Sequence, residues 1–360
     1  MVAAQAALGT LASVGRMLFR RKGRDGDTAV AERPAGAVEE LRGLIEQIDA
    51  LSRRNREQPE VERERELLRL RHLAGIQLAA RGNGQAEFAS ARSEGLPRKR
   101  LPQIEPVALS PGLLRAGILR DGCLWVRGLV APDEAARLAE EIDAAFKARD
   151  AADAGSPPEP GYYEEFVPEP QFPFLEERPW IKQGGGVWGV DSPRAMFRVL
   201  ESFERAGLRS LIDGYLGEHP LMSVQKVTLR KAEPTSGGEW HQDGAFMGGV
   251  RSLNVWLSLS HCGDEAPGMD IVPRRLDRVL PTGTDGALFE WSVSNALAEE
   301  VSGDAGIVRP IFEPGDVLFF DDLFLHKTAA ERSMPNPRYA VECWFFGASA
   351  FAQDFVPLAL

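Results

Sequence analysis

The sequence predicts a mainly β domain with flanking helices (α+β), preceded by a helical arm. Apolar residues recur at helical spacing early in the chain, and short apolar runs broken by turn residues dominate after about residue 220. The 36 glycines and 25 prolines supply the many turns that a β-rich chain needs. Helices first and strands afterwards suggest helices packed on an antiparallel sandwich or barrel. A hydrophobic content of 44% against 26% charged residues gives enough apolar material for a sizeable core in a 360-residue chain.

Residues 1–35 read as a flexible N-terminal segment. The first 24 residues contain no acid, and an apolar stretch over 2–14 precedes Arg16, Arg20, Arg21, Lys22 and Arg24. That stretch falls short of the about 20 residues a membrane span requires. Its basic residues also follow the apolar part, the reverse of a secretory signal. Leu8, Leu11, Leu18 and Phe19 can share one helical face. Two readings fit: a frayed start, or an interfacial helix touching a membrane surface through residues 2–24.

Residues 36–109 read as a helical hairpin and linker. Val38, Leu41, Leu44, Ile45, Ile48 and Leu51 have helical spacing, and so do Leu67, Leu70, Leu73 and Leu78 in a second helix over about 60–81. Pro59 marks the turn between them. Such a hairpin can pack on the main domain or mediate oligomer formation through residues 36–82. Periodicity is lost over 82–109, where Arg98, Lys99 and Arg100 lie between prolines.

From residue 110 to 360 the expected order is a short helix over 113–119, a strand over 123–129 and an amphipathic helix from Pro132 to about 149. A loop over 150–183 and a helix over 192–216 ending at Gly217 follow. The expected strands are 223–231, 252–259, 269–272, 316–320 and 338–346. No repeat of fixed period is present in the sequence.

The net charge of −11 disfavours a nucleic-acid-binding surface spread over the chain, since a polyanion is repelled. Cys123, Cys262 and Cys343 are far apart and form no CxxC pair. A disulfide framework or zinc site is therefore not expected, and a reducing, cytoplasmic compartment fits, with membrane-surface association as the alternative.

Five histidines allow each to be weighed. His72, among Arg69 and Arg71, is expected at the surface; His219, before Pro220, in a turn; His261 at a strand end. The other two lie in more informative settings. In an extended segment, residues two apart point to the same side, so His241 and Asp243 can converge on one ion. An imidazole and a carboxylate together suit divalent iron, and His326, after the apolar run 317–320, can complete a facial triad of two histidines and one carboxylate. Arg338, 12 residues after His326, opens the next strand, where a guanidinium can clamp a carboxylate with two parallel hydrogen bonds. Thr328, two after His326, faces the same way and offers a hydroxyl. Alone, a His-x-Asp pair is weak support for a metal site; the threonine and arginine strengthen it.

These segments resemble the phytanoyl-CoA dioxygenase family over roughly residues 113–347. The resemblance rests on Trp240-His241-Gln242-Asp243-Gly244, Val255-Trp256-Leu257-Ser258-Leu259, Gly315-Asp316-Val317-Leu318-Phe319-Phe320, and His326 with Thr328 and Arg338. The run from Asp121 to Leu129 is similar to the family's opening strand. The resemblance implies a double-stranded β-helix (jelly-roll or cupin-like) core and a non-haem iron(II)/2-oxoglutarate-dependent dioxygenase that consumes O2. It implies iron ligands His241, Asp243 and His326, with Thr328 and Arg338 on the distal carboxylate of 2-oxoglutarate. It also implies co-substrate contacts from Trp256 and Gln225, and a further contact from Lys182. The expected reaction is hydroxylation of an aliphatic C–H in a small-molecule or lipid-derived substrate, releasing succinate and CO2. Halogenating relatives lack the carboxylate that Asp243 supplies.

The chain departs from the family pattern in two places. After Gly268 it has Val272-Pro273-Arg274-Arg275 where a Pro-Gly-Ser-His element is common, and Glu331 stands where an asparagine often follows the distal histidine. Arg274, Arg275 and Arg278 can flank a pocket for an anionic substrate or simply face solvent. Asp321 and Asp322 can orient His326 or end its strand. The competing readings are a non-catalytic interaction protein that keeps the fold and binds through its helical arm, and a metal-dependent cupin-type enzyme without co-substrate.

Overall fold

The computed structural model describes residues 35–82, 86–172, 178–284, 286–352 and 354–360; the expected N-terminal segment with its membrane-helix alternative lies outside them. In chain order the helices are α1 (Ala35–Glu57), α2 (Val61–Ala79), α3 (Pro111–Asp121), α4 (Pro132–Asp153), α5 (Arg178–Gln183), α6 (Pro193–Arg205), α7 (Leu208–Leu216), α8 (Gly244–Met247) and α9 (Asn295–Ser302). The strands are β1 (Gln103–Ile104), β2 (Cys123–Val126), β3 (Gly186–Trp188), β4 (Pro220–Ala232), β5 (Ser252–Ser258), β6 (Gly268–Ile271), β7 (Val317–Phe320), β8 (His326–Ala329), β9 (Arg338–Gly347) and β10 (Pro357–Ala359).

Among the described residues eight strands form one mixed sheet in the order β1-β2-β7-β5-β9-β4-β10, with β3 added to β4. β6 and β8 form a separate antiparallel pair. The central strands of the large sheet are mostly apolar because both faces are covered, with Lys226, Arg230, Arg338 and Glu342 as charged exceptions. Side chains alternate between them. Leu124, Val255, Leu257, Phe319, Val341 and Phe345 join the core made with α3, α4, α6 and α7. Trp125, Trp256, Leu318, Phe320, Ala340 and Trp344 point the other way and pack with Met269 and Ile271 of the small sheet. The chemistry described below lies on this second side, between the two sheets.

The α1–α2 hairpin packs on the body. Leu41, Ile48, Leu67, Leu70 and Ala74 share a core with Phe197, Leu221 and Ala359. His72 is buried here, not on the surface as expected. Its Nδ1–H donates to Pro357 O at 2.9 Å and its Nε2 accepts from the Glu169 N–H at 3.0 Å, so one neutral ring ties the hairpin to β10 and to the 160s loop. Charge patterning alone hides this, because the arginines beside His72 mark the helix as solvated while its other face is covered.

Other expectations are corrected by backbone detail. The helix expected over 192–216 is two helices, because Gly207 adopts φ 71, a left-handed conformation that favours glycine. The segment 82–109 contributes β1, which pairs in parallel with β2. β2 stops at Val126, before a turn at Gly128. The loop over 150–183 ends in α5. β3, β8 and β10 were not expected as strands, being too short for period-2 alternation to register. Among the described residues no helix is long and apolar enough to cross a membrane.

Candidate metal centre

His241 and His326 meet in an antiparallel bridge. The His241 N–H donates to His326 O at 3.0 Å and the His326 N–H to His241 O at 3.1 Å. Asp243 follows by a different route from the one expected: it is not in extended backbone but has φ −61 and ψ −25, capping α8. Gln242 holds this turn. Its Nε2 donates to Leu323 O at 2.6 Å and Arg278 O at 3.1 Å, and its Oε1 accepts from the Leu280 N–H at 2.7 Å. Gly244 then passes so close to Asp322 that a Cβ would lie 3.0 Å from its carbonyl oxygen. The Gly244 N–H donates to that oxygen at 2.8 Å.

The outcome is a cluster of one donor atom each from His241, Asp243 and His326, all within 4.8 Å of one another. Each histidine has a carbonyl at Nδ1: Glu239 O at 2.8 Å from His241 and Phe324 O at 3.1 Å from His326. A carbonyl only accepts, so Nδ1 carries the proton and Nε2 presents a lone pair inward. Burial, and then the neighbouring His241, push the His326 pKa down to about 4. The ring is therefore neutral and ligand-ready at ordinary pH. Burial opposes ionisation of Asp243, but the Lys226 ammonium and then the two imidazoles outweigh it and hold the carboxyl below its usual range. Two imidazoles and a carboxylate, oriented by backbone carbonyls, suit a divalent transition metal.

Arg338 is 1% exposed and opens β9, on the same face of the large sheet as Glu342 and Trp344. One nitrogen donates to Gly268 O at 2.8 Å, and the guanidinium carbon lies 5.5 Å from the Trp256 ring centroid. Its Nε has no hydrogen-bond partner, and among the described residues no carboxylate forms an ion pair with it. Burial lowers its pKa against the opposing pull of neighbouring Glu342, yet an arginine stays charged, so a buried cation remains here. The Trp256 Nε1–H beside it is also buried and unpartnered. Thr328 lies on β8, paired with Met269 next to Gly268.

Other residues expected at the site are elsewhere. Gln225 is turned away: its Oε1 accepts from the Ser223 hydroxyl at 2.9 Å and the Val356 N–H at 3.0 Å, at a bulge in β4. It secures the C-terminal segment, and the structure gives it no contact with the cluster. Lys182 is on the outer surface, paired with Asp153. Asp321 pairs with Arg275 and caps the turn at Leu323, and Asp322 accepts from the Ser252 hydroxyl at 3.3 Å. Neither orients His326, whose Nδ1 is already taken. Arg274 and Arg278 are exposed, and Arg275 is paired with Asp321.

Lys226, Arg230 and Glu342 are charged residues of the site that the sequence reading did not single out. Lys226 Nζ donates to Asp243 Oδ1 at 3.1 Å. Arg230 holds Glu342 with two hydrogen bonds, of 3.1 and 2.7 Å. A signal was present. Lys226, Thr228 and Arg230 are polar at period 2 within an apolar strand, and Glu342 shares the parity of Arg338, Ala340 and Trp344 on β9.

No protein-family model matches the chain, and no curated protein matches it in sequence. Solved structures of similar fold include EctD from S. alaskensis with 2-oxoglutarate and 5-hydroxyectoine, at 19% identity over 75% of this chain and 86% of that one, TM-score 0.49. A separate structure of EctD carries bound Fe. AviO1 from Streptomyces viridochromogenes Tue57 is similar at 20% identity over 68% and 97% of the two chains, TM-score 0.44. The non-heme alpha ketoglutarate dependent epimerase SnoN from nogalamycin biosynthesis is similar at 19% identity over 66% and 80%, TM-score 0.40. The similarity is one of fold.

Proposed function

We propose that the protein is an iron(II)- and 2-oxoglutarate-dependent oxygenase of the phytanoyl-CoA dioxygenase kind, its two sheets forming a double-stranded β-helix, and that it hydroxylates an aliphatic C–H. The observation that carries this reading is Arg338. A buried guanidinium with an unpartnered nitrogen, and with no carboxylate in hydrogen-bond contact, is an anchor for an anion. It shares a sheet face with Glu342, whose carboxylate interacts with both Arg338 and Asp243 of the His241–Asp243–His326 cluster. A dicarboxylate that reaches both satisfies the arginine at one end and a metal at the other.

Bound iron(II) and 2-oxoglutarate would supply the activation of O2 that oxidises a C–H bond, with succinate and CO2 released. The protein's own part is positioning. His241 and His326 would offer Nε2, and Asp243 its carboxylate; three protein ligands leave positions for co-substrate and dioxygen. Arg338 would grip the distal carboxylate, with the Thr328 hydroxyl and the Trp256 Nε1–H within the same wall. Trp256 and Phe312 would give this end an apolar wall, and Phe320 packs on His326 at the other. Retention of Asp243 as a ligand favours hydroxylation over halogenation.

Anaerobic addition of iron(II) and then 2-oxoglutarate tests this. The expected result is a weak visible charge-transfer band that saturates with 2-oxoglutarate and needs much more of it in Arg338→Ala. No band in the wild-type protein, or an unchanged titration in Arg338→Ala, would overturn the reading.

A further inference from the structure

We propose that Lys226 is a substrate-positioning residue, and that the substrate is a monoanion, such as a carboxylate, with a flat apolar body that lies along Phe246 and Trp291. This rests on the oxygenase reading above.

Charge comes first. Lys226, Arg230 and Arg338 share one face of the large sheet, and the acids that meet them there are Glu342 and Asp243. Arg230 is fully used: two nitrogens hold Glu342 and the third donates to Gly184 O. Arg338 is assigned to the co-substrate. Lys226 remains, and its acid partner is Asp243, whose oxygen it meets at 3.1 Å. A metal on Asp243 draws that carboxylate's charge to itself and leaves the ammonium close to a dication. Iron(II) and dianionic 2-oxoglutarate cancel each other, so the side chains' surplus of one positive charge persists. A single negative charge on the substrate removes it. With 20% of its side chain exposed, Lys226 is reachable yet partly desolvated, the setting in which an ion pair is worth most to a ligand.

Shape comes second and is independent of charge. Lys226 Nζ lies 5.7 Å from the Phe246 ring centroid, and Phe246 is 5.9 Å from Trp291. Trp291 presents its ring at 6.0 Å from His241, and Phe289 stacks on it at 5.3 Å with 2° between planes. All three aromatic rings are partly exposed. They form a strip running from the lysine past a metal ligand. A body laid on that strip, with its acid group on Lys226, passes beside the metal cluster. Aromatic faces favour flat or chain-like apolar groups.

The test uses full-length protein with iron(II) and saturating 2-oxoglutarate under anaerobic conditions, titrated with 2-naphthoate and, separately, with 2-naphthamide. The two probes share a shape and differ in charge. Binding is followed by tryptophan fluorescence, with the visible band recorded alongside. Naphthoate should bind about tenfold tighter than the amide or better, as a charge-assisted hydrogen bond would give. Lys226→Met should bring the ratio close to one, Lys226→Arg should keep most of it, and Trp291→Ala should weaken both probes alike. Using the ratio cancels any change in metal affinity. Equal binding of the two probes, saturable binding of neither, or a ratio preserved in Lys226→Met would overturn the proposal. Loss of the band on adding naphthoate would also overturn it, by placing the acid on Arg338. Absence of the band before any probe is added would sink the oxygenase reading and this inference with it. A normal band with no acid preference sinks this inference alone.

Discussion

His241 and His326 form a directly opposed backbone pair, each donating its N–H to the other's carbonyl, with imidazole centroids 4.4 Å apart. The ligand spacing is thus set by a β-bridge rather than by side-chain packing. Residues 85 positions apart in the sequence are held like neighbours in a ladder. A cluster built this way is rigid before any metal arrives.

Metal binding should therefore stabilise the fold without remodelling it. Ligand at a hundredfold excess over its Kd adds about 2.7 kcal/mol. Thermal denaturation of metal-stripped protein, with and without anaerobic iron(II), should show a rise in Tm that disappears in His326→Ala. An equal rise in the variant would exclude the cluster as the metal site.

Arg338 should matter to ligand binding and not to folding. Replacing a buried, partly unpartnered charge with an apolar group of similar length is commonly neutral or stabilising. Arg338→Met should keep or raise the denaturation midpoint while losing the stabilisation that 2-oxoglutarate confers on the metal-loaded wild type. A variant that is strongly destabilised and still stabilised by 2-oxoglutarate would show that the arginine is structural.

Gln225 makes the opposite prediction. Its Oε1 serves the Ser223 hydroxyl and the Val356 N–H, so Gln225→Ala leaves buried donors without their acceptor. A loss of about 1–3 kcal/mol in stability is expected. The affinity of the remaining folded protein for 2-oxoglutarate should be unchanged, as measured by the visible band. A selective loss of 2-oxoglutarate affinity would place Gln225 at the co-substrate after all.

His72 should make the fold acid-sensitive. Burial lowers its pKa below the ordinary 6.5, outweighing the Pro357 carbonyl and Glu169. The folded state then binds fewer protons than the unfolded one as pH falls. Its contribution is complete above about pH 6.5 and is lost as pH drops through the folded value. His72→Gln can donate to Pro357 O and accept from Glu169 N–H without titrating. Denaturant midpoints measured between pH 7.5 and pH 5 should fall less steeply in that variant. Parallel slopes would mean that other groups, such as half-buried His219 and buried His326, carry the acid response.

By itself the sequence determined the longer helices and strands, the hairpin, and the residue types of the cluster. Periodicity is a local property, and Trp240 to Gly244, His326 and Arg338 are legible from their immediate neighbours. It also carried the polar face of β4, although Lys226 and Arg230 passed as ordinary charges. Only tertiary structure decided what depends on pairing and coverage. Register places Glu342 opposite Trp256 and Thr228, which puts a carboxylate on the same sheet face as Arg230 and Arg338. A bulge between Met222 and Val227 turns Gln225 away from the cluster while Lys226 meets Asp243. Packing of α2 on β10 buries a histidine that its own helix marks as exposed. In each case the deciding contact is made by residues far apart in the chain, so no local window of sequence contains it.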